Sequence, residues 1–414
     1  MDRPLPLVLD PTGRNRRAEE AELHTGGPAT LVDILGVQAW SVSDPALLTR
    51  LLTDPRVSKD ARRHWPRFIN GEITGTWPLA LWASVTNMFT AYGTDHRRLR
   101  RLISSAFTAR RTSAMVPRIE QLTQALLDNL AATPPGEVID LREHFAYPLP
   151  IQVIGELMGL PAHAVPSFRT MVDGVFDTTL TVEQAMANNE ALYGIMSELV
   201  AAKRDRPGND MTSALIAARD DSEEGDGSAL AEQEVLDTLL LVVSAGYETT
   251  VNLLDQAVTA LLTHPDQLAH LREGRATWND VIEESLRYEA PVAHLPLRYA
   301  VEDIALPDGG VVIRKGEAIL ASYAAAGRHP ALHGDTADRF DLIRTDKQHL
   351  AFGYGVHFCL GAPLARAEAA AALPALFKRF PDLRLAVPAD SLEPAASLIA
   401  NGHRTLPVHL TPVT

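Results

Sequence analysis

The sequence predicts a mainly α-helical protein with a small β portion, on three observations. Apolar residues recur at helical spacing over residues 112–133, 150–159, 181–205, 231–263 and 363–379. Period-two alternation is confined to short stretches near the two ends and around residue 315. Hydrophobic residues form 46% and charged residues 22% of the 414, the balance of an ordinary globular chain.

Taken in order, "TLVDILGVQAWSVS" (30–43) reads as an early strand or hairpin. With "GGVVIRKGEAILAS" (309–322), "DLRLAV" and "LPVHLTPV", it places the β portion in residues about 28–60, 290–325 and 380–414. Strand signals at both ends imply that the termini pack together, in one domain spanning 1–414. In "TDHRRLRRLISSAF" (94–107), Leu99, Leu102, Ile103 and Phe107 share one helical stripe and arginines fill much of the rest. "RDDSEEGDGSALAEQE" (219–234) is acidic and glycine-containing, an exposed loop leading into the next helix.

That next helix is apolar all round and about 45–50 Å long, so it is expected to be buried. Its middle nevertheless carries Gly246, Glu248, Thr249 and Thr250. Glycine weakens helices, a buried carboxylate is costly, and threonine can bond the preceding turn. A kink with satisfied polar groups is one explanation and a functional groove is another. In "TWNDVIEESLRYEAP" (277–291), Thr277 and Asp280 form a capping arrangement and Pro291 marks the stop. Glu284 and Arg287, three apart, share a face and can pair. Pro363 lies near the start of the last helix.

Charge and cysteine usage exclude several functions. With 38 Lys and Arg against 52 Asp and Glu, the net charge of −14 argues against nucleic-acid affinity. No apolar run approaches the roughly 20 residues that span a bilayer, and the N-terminus lacks a signal pattern. A single cysteine makes no internal disulfide, which suits a reducing cytoplasm. That cysteine, Cys359, stands in "FGYGVHFCLG" (352–361), just ahead of a helix N-terminus whose dipole and free N–H groups favour a thiolate. Gly353 and Gly355 permit a tight turn beneath a flat ligand, and Gly361 lets backbone N–H groups near the sulfur. An inert core cysteine is the plain alternative. Zinc is disfavoured by the lack of a second cysteine, and "GYGVHF" lacks the final glycine of a dinucleotide fingerprint.

The string Phe352-Gly353-x-Gly355-x-His357-x-Cys359-x-Gly361 resembles the haem-binding loop of the cytochrome P450 family at every signature position. The resemblance implies a P450 fold, haem b as cofactor and Cys359 as axial iron ligand. It also implies contacts from Phe352, Gly353, Gly361 and Ala245 to the cofactor, and from His357, His96, Arg100 and Arg298 to its propionates. "AGYET" (245–249) is similar to the family's oxygen-activating segment, with Thr249 holding a hydrogen-bond network and Glu248 relaying protons to dioxygen. Related haem peroxygenases lack this pair. Glu284 and Arg287 match the family's ExxR element, and Arg339 in "ADRFDLIR" would complete that structural network.

From the same resemblance follow a ferredoxin and ferredoxin reductase as partners, electrons ultimately from NAD(P)H, and a monomeric state. Arg97, Arg98, Arg101, Arg110 and Arg111 are candidates for docking an acidic ferredoxin. The substrate pocket would take in Leu81, Trp82, Val85, Phe89, Phe176, Leu180, Val243, Val292, Leu295, Leu398 and Ile399, mostly apolar residues suited to a lipophilic polycycle. A steroid is the first expectation and a macrolide or other polyketide the second. A peroxide-driven peroxygenase and a haem sensor stand behind them. The chain departs from the family pattern with "YGTDH" for "DPPEH" and "AGRHP" for "ANRDP", away from the iron-ligating loop.

Overall fold

The computed structural model describes residues 5–104, 107, 109–161, 164–220, 227–307 and 310–411. The helices that build the site are, in chain order, α1 (Arg16–Thr25), α2 (Pro45–Thr53), α3 (Gly93–Ser104), α4 (Ala109–Ala131) and α5 (Pro148–Met158). They continue with α6 (Val165–Phe176), α7 (Val182–Asp205), α8 (Glu232–Thr263), α9 (Trp278–Tyr288) and α10 (Ala362–Arg379). The five long periodicities thus fall on α4, α5, α7, α8 and α10, within a few residues at each end. Local chemistry sets several of these ends. Asp280 N bonds Thr277 Oγ1 at 3.2 Å and Thr277 N bonds Asp280 Oδ2 at 2.8 Å, the reciprocal cap that starts α9. Pro363 sits in the first turn of α10, where a missing N–H costs nothing.

Helix α8 is the axis of the molecule. It touches α5, α6, α7, α9 and α10, which explains why its apolar residues circle the whole helix. It runs without interruption through Gly246–Thr250, so the expected kink is not a break. Gly246 serves packing: a Cβ there would lie 2.7 Å from Ile154 Cδ1, so its absence lets α5 press against α8. The amphipathic helix α3 ends at Ser104, leaving Phe107 beyond it, while Leu99, Leu102 and Ile103 are buried as a stripe. The acidic stretch before α8 lies partly outside the described residues.

The strands are β1 (Leu7–Val8), β2 (Ala29–Ile34), β3 (Val37–Val42), β4 (Val57–Ser58), β5 (Val138–Asp140), β6 (His294–Ala300), β7 (Ile304–Ala305), β8 (Val312–Ile313), β9 (Ala318–Ser322), β10 (Arg384–Leu385) and β11 (Pro407–His409). The largest sheet has the order β1-β2-β3-β9-β6-β4, with β2 and β3 forming the expected hairpin. The C-terminal strands do not join it. They pair with β5 in a separate sheet of order β10-β11-β5. Three residues are too few to show a period of two, which is why β5 left no signal. The two ends of the chain still meet, through a buried side chain. Arg16 on α1 donates to Asn401 Oδ1 at 2.6 Å, Ser397 O at 2.7 Å and Ala400 O at 2.8 Å.

Candidate functional site

The cysteine loop is held on three sides. Gly353 and Gly355 have φ of 71° and 70°, values that side-chain-bearing residues rarely adopt. A Cβ on Gly355 would lie 2.8 Å from Thr53 Cγ2 and 3.0 Å from Leu52 O, so the loop rests directly on the end of α2. Arg366 on α10 lies over the Phe352 ring at 4.6 Å and pairs with Glu283, which His349 also contacts. Cys359 N bonds Phe352 O at 3.0 Å and closes the loop. Burial pushes the Cys359 thiol up, while N–H groups of Gly361 and Ala362, then Arg100 and Arg366, favour the thiolate. A Cβ at Gly361 would stand at 3.7 Å from Sγ, an ordinary contact, so this glycine is not required by space in the protein alone.

Above the sulfur lies a large apolar cavity. Ala245, Gly246, Thr249 and Thr250 of α8 line it, as do Phe352, Gly353, His357 and Gly361 from the loop. Leu81, Trp82, Val85, Phe89, Phe176, Val292 and Leu295 also line it. Trp82 packs edge-on against Phe176 and Phe89, with centroids 5.4 and 6.0 Å away, giving one wall a rigid aromatic surface. Four expected pocket residues are elsewhere. Val243 is about 200° around α8 from Ala245 and is sealed in the core. Leu398 and Ile399 are buried in a segment whose backbone bonds Thr178 Oγ1 and Ala293 N. Leu180, just before α7, is half-buried and off the cavity.

One rim of the cavity is lined by the basic residues Lys59, Arg100, Arg298 and His357, while His96 packs on His357 without lining the cavity itself. His96 and His357 stand with ring centroids 4.2 Å apart. Burial, then the positive charges of Arg100 and Arg97, push His96 down to about 4. Arg100 Nη2 donates to Phe358 O at 2.7 Å. Arg298 lines the cavity with Nη1 buried and unpartnered, as is His96 Nε2. The sequence reading missed a fifth member, Lys59. It is 2% exposed, has Pro296 O at 3.4 Å as its hydrogen-bond partner, and lies 3.5 Å from the Phe89 centroid. Burial and Arg298 drive its ammonium well below the usual lysine range. Among the described residues no carboxylate pairs with any of the five. Arginines without carboxylate partners, beside the buried and unpartnered Arg298 Nη1 and His96 Nε2, suit a ligand bearing carboxylates. These residues therefore fit a flat metal macrocycle with anionic edge groups, held by a thiolate from below.

The acid–alcohol pair divides its attention. Thr249 Oγ1 donates to Ala245 O at 2.6 Å and lines the cavity. Glu248 turns from the cavity into a buried cluster, its Oε1 accepting from Arg142 Nη2 at 2.9 Å. Its Oε2 is buried without a partner. Burial raises Glu248 to about 7, against the opposing pull of Arg142. No local pattern marked Arg142, because its partners lie more than a hundred residues away.

Glu284 and Arg287 are fully buried and paired by two bonds of 2.8 Å. Arg339 does not complete the network with its side chain, which is exposed. Its backbone carbonyl accepts from Arg287 Nη2 at 2.7 Å. The guanidinium that reaches Glu284 is Arg344, at 3.4 Å. The motif "RFDLIR" holds both arginines, and only the turn between them decides which points inward. Of the arginines expected to dock a partner, Arg98 pairs with Glu234 and Arg101 bonds Asp220 at 2.9 and 2.7 Å. These two are thereby committed within the chain. Arg97 is exposed, and the Arg110 side chain lies outside the described residues.

A cysteine ahead of a helix, lining an apolar cavity whose basic rim lacks carboxylate partners, fits one class, the haem-thiolate proteins. The chain belongs to the cytochrome P450 family: the model described as Cytochrome P450 matches residues 181–393, and the chain is a P450 monooxygenase acting on small molecules. It is 45% identical over 406 residues to the 2-hydroxy-5-methyl-1-naphthoate 7-hydroxylase of Streptomyces carzinostaticus, covering 98% of this chain and 97% of that protein. Among solved structures, CYP154A1 from Streptomyces coelicolor A3(2) is 63% identical, with a TM-score of 0.92 over 98% of this chain and 100% of that one. Testosterone-bound CYP154C4 from Streptomyces sp. ATCC 11861 is 41% identical, with a TM-score of 0.93 and 99% coverage of both chains.

Proposed function

We propose that the chain hydroxylates a lipophilic polycyclic molecule, a steroid first, with Cys359 as the iron ligand and electrons from a ferredoxin. The observation that carries the substrate class is the cavity wall of Trp82, Phe89, Phe176, Leu81, Val85 and Leu295, almost wholly apolar and stiffened by edge-on aromatic contacts. Such a wall selects by shape and by displaced water more than by hydrogen bonds. When bound, the haem supplies the iron at which dioxygen is activated for insertion of one oxygen atom into a C–H bond. His96, Arg100, Arg298 and His357 would hold its propionates.

The chain's own groups then manage water and protons. The Thr249 hydroxyl has its single proton committed to Ala245 O, so towards the cavity it offers lone pairs and accepts a hydrogen bond. Glu248, raised to about 7, exchanges a proton at neutral pH and suits the role of donor. Arg97, exposed on α3, offers a basic contact for an acidic ferredoxin.

Lys59 favours a second reading, an aromatic polyketide acid. Its ammonium is buried in the cavity lining against Phe89 and could meet a substrate carboxylate. The related naphthoate hydroxylase is named for an aromatic carboxylate.

The test is a spin-state titration of the haem-loaded protein with steroids, macrolactones and naphthoates. Tight shifts with steroids, unchanged in Lys59→Met, support the first reading. Shifts confined to the naphthoates and lost in Lys59→Met support the second.

A further inference from the structure

The buried cluster around Glu248 has a second end. Asp255, about two helical turns further along α8, accepts from Arg142 Nη1 at 2.8 Å, and Arg142 Nη2 also bonds Asn252 Oδ1 at 2.9 Å. The far side of Asp255 is held by His403. The His403 N–H donates to Asp255 Oδ2 at 2.7 Å, and its Nδ1 lies 2.9 Å from Oδ1. Gly402 makes this fit possible, since a Cβ there would fall 2.2 Å from Asn252 Oδ1 and 2.7 Å from Arg142 Nη1. His403 also lines a second, polar cavity with Arg14, Arg16, Arg17, Gln256 and Glu289. The chain His403–Asp255–Arg142–Glu248 therefore runs from that cavity to the residue beside Thr249.

Charge counting shows what such a chain can store. Arg142 and Asp255 cancel. The remaining pair is neutral in two ways, imidazolium with carboxylate or imidazole with carboxylic acid. A buried cluster resists any other net charge. The groups facing it from other elements are nearly balanced among themselves. Asp173 on α6 lies near Arg169, whose other partner is Glu143, and takes a bond from Tyr247. Glu289 pairs with Arg17 and Arg328. Asp140 accepts the backbone N–H of Arg142 and of Leu406, and the Tyr147 ring lies under the Arg142 guanidinium. Arg16 is bound to Asn401 and two carbonyls. Glu248 Oε2 and Arg142 Nε, both buried without partners, mark the cluster as incompletely satisfied at the Glu248 end.

We propose that His403 is a positioning residue for proton supply: it shares one exchangeable proton with Glu248, held on the imidazole at the polar cavity or on the carboxyl beside Thr249. The proton leaves the imidazolium as one arrives on the carboxylate, and no electrons move. This use of the proton rests on Glu248 acting as donor, whereas the sharing itself does not. The directions of titration agree: Glu248 stands at about 7, raised by burial, and His403 is raised by Asp255 despite its own burial.

The test is an infrared pH titration of the protonated carboxyl stretch of the holoenzyme, assigned by its loss in Glu248→Gln. In His403→Gln, which keeps a hydrogen-bonding group but no charge, the Glu248 midpoint moves up by about one pH unit, a tenfold change. In His403→Arg, a fixed cation, it moves down. By reciprocity, Glu248→Gln lowers the His403 midpoint read by NMR. A Glu248 midpoint unmoved in both His403 variants overturns the proposal. Product formed per dioxygen, measured against pH, separates the two claims. If the midpoint moves and the coupling profile follows, both stand. If the midpoint moves and the profile does not, the donor role of Glu248 fails and the shared proton stands.

Discussion

Removing the charge of Glu284 tests whether the buried pair on α9 is a structural anchor. Its carboxylate accepts Arg287 Nε and Nη2 and the Asp341 N–H, all at 2.8 Å, with Arg344 Nε at 3.4 Å. Glu284→Gln keeps the volume but leaves Arg287 a buried cation facing only neutral acceptors, the new amide oxygen and the carbonyls of Gly327, Ala337 and Arg339. Breaking one side of such a pair costs about 3–5 kcal/mol. With 414 residues and an unfolding entropy of about 2.1 cal/mol/K per residue, that corresponds to a fall in Tm of about 3–6 °C. Calorimetry of the haem-loaded protein measures it, with Glu283→Gln as the half-buried control. Glu283 is 20% exposed and its partners Arg366 and His349 can turn to solvent, so its loss should cost less. A Glu284→Gln protein that melts within about 1 °C of the parent would refute the reasoning.

Other perturbations probe the loop, the pair on α8 and acid stability. Gly355→Ala combines a φ of 70° with a Cβ 2.8 Å from Thr53 Cγ2, so it should displace the cysteine loop from α2. The carbon-monoxide difference spectrum should show less of the thiolate band, and an undiminished band would exclude this role for the glycine. Thr249→Ala should consume dioxygen without matching product, because the hydroxyl that donates to Ala245 O and offers its lone pairs to the cavity is lost; product per dioxygen at the parent value counts against it. Burial opposes the charge of Glu283, but Arg366 and then His349 overcome it and hold the carboxylate down at about 2. A lowered folded-state value means that its contribution to stability is present above the ordinary 4.5 and fades as the pH falls towards 2. Denaturation midpoints in that window should fall less steeply in Glu283→Gln than in the parent, and parallel curves would contradict the assignment.

The parts of the fold legible in the sequence were those governed by neighbours. Helix α9 announces its start through Thr277 and Asp280, three residues apart, and α8 its burial through an unbroken apolar circumference. The cysteine loop is equally local, since glycines, histidine and sulfur lie within ten residues. Strand β5 was invisible because three residues have no period, and it forms only where β11 arrives to pair with it. The exchange of Arg344 for Arg339 shows the limit at a site. Both arginines satisfy the spacing, and the backbone turns at Thr336–Arg339 and Asp341–Arg344 choose between them.

By itself, then, the sequence determined the helices, the thiolate loop and the presence of an acid and an alcohol on one buried helix, because short-range periodicity and capping carry that information. Tertiary structure alone decided that Lys59 joins the basic rim, that Glu248 faces Arg142 instead of the cavity, and that Val243 and Ile399 are sealed away from it. Each of those outcomes depends on which remote segment packs against which helix face. A buried charge takes the partner that packing delivers, and nothing in its neighbours along the chain names that partner in advance.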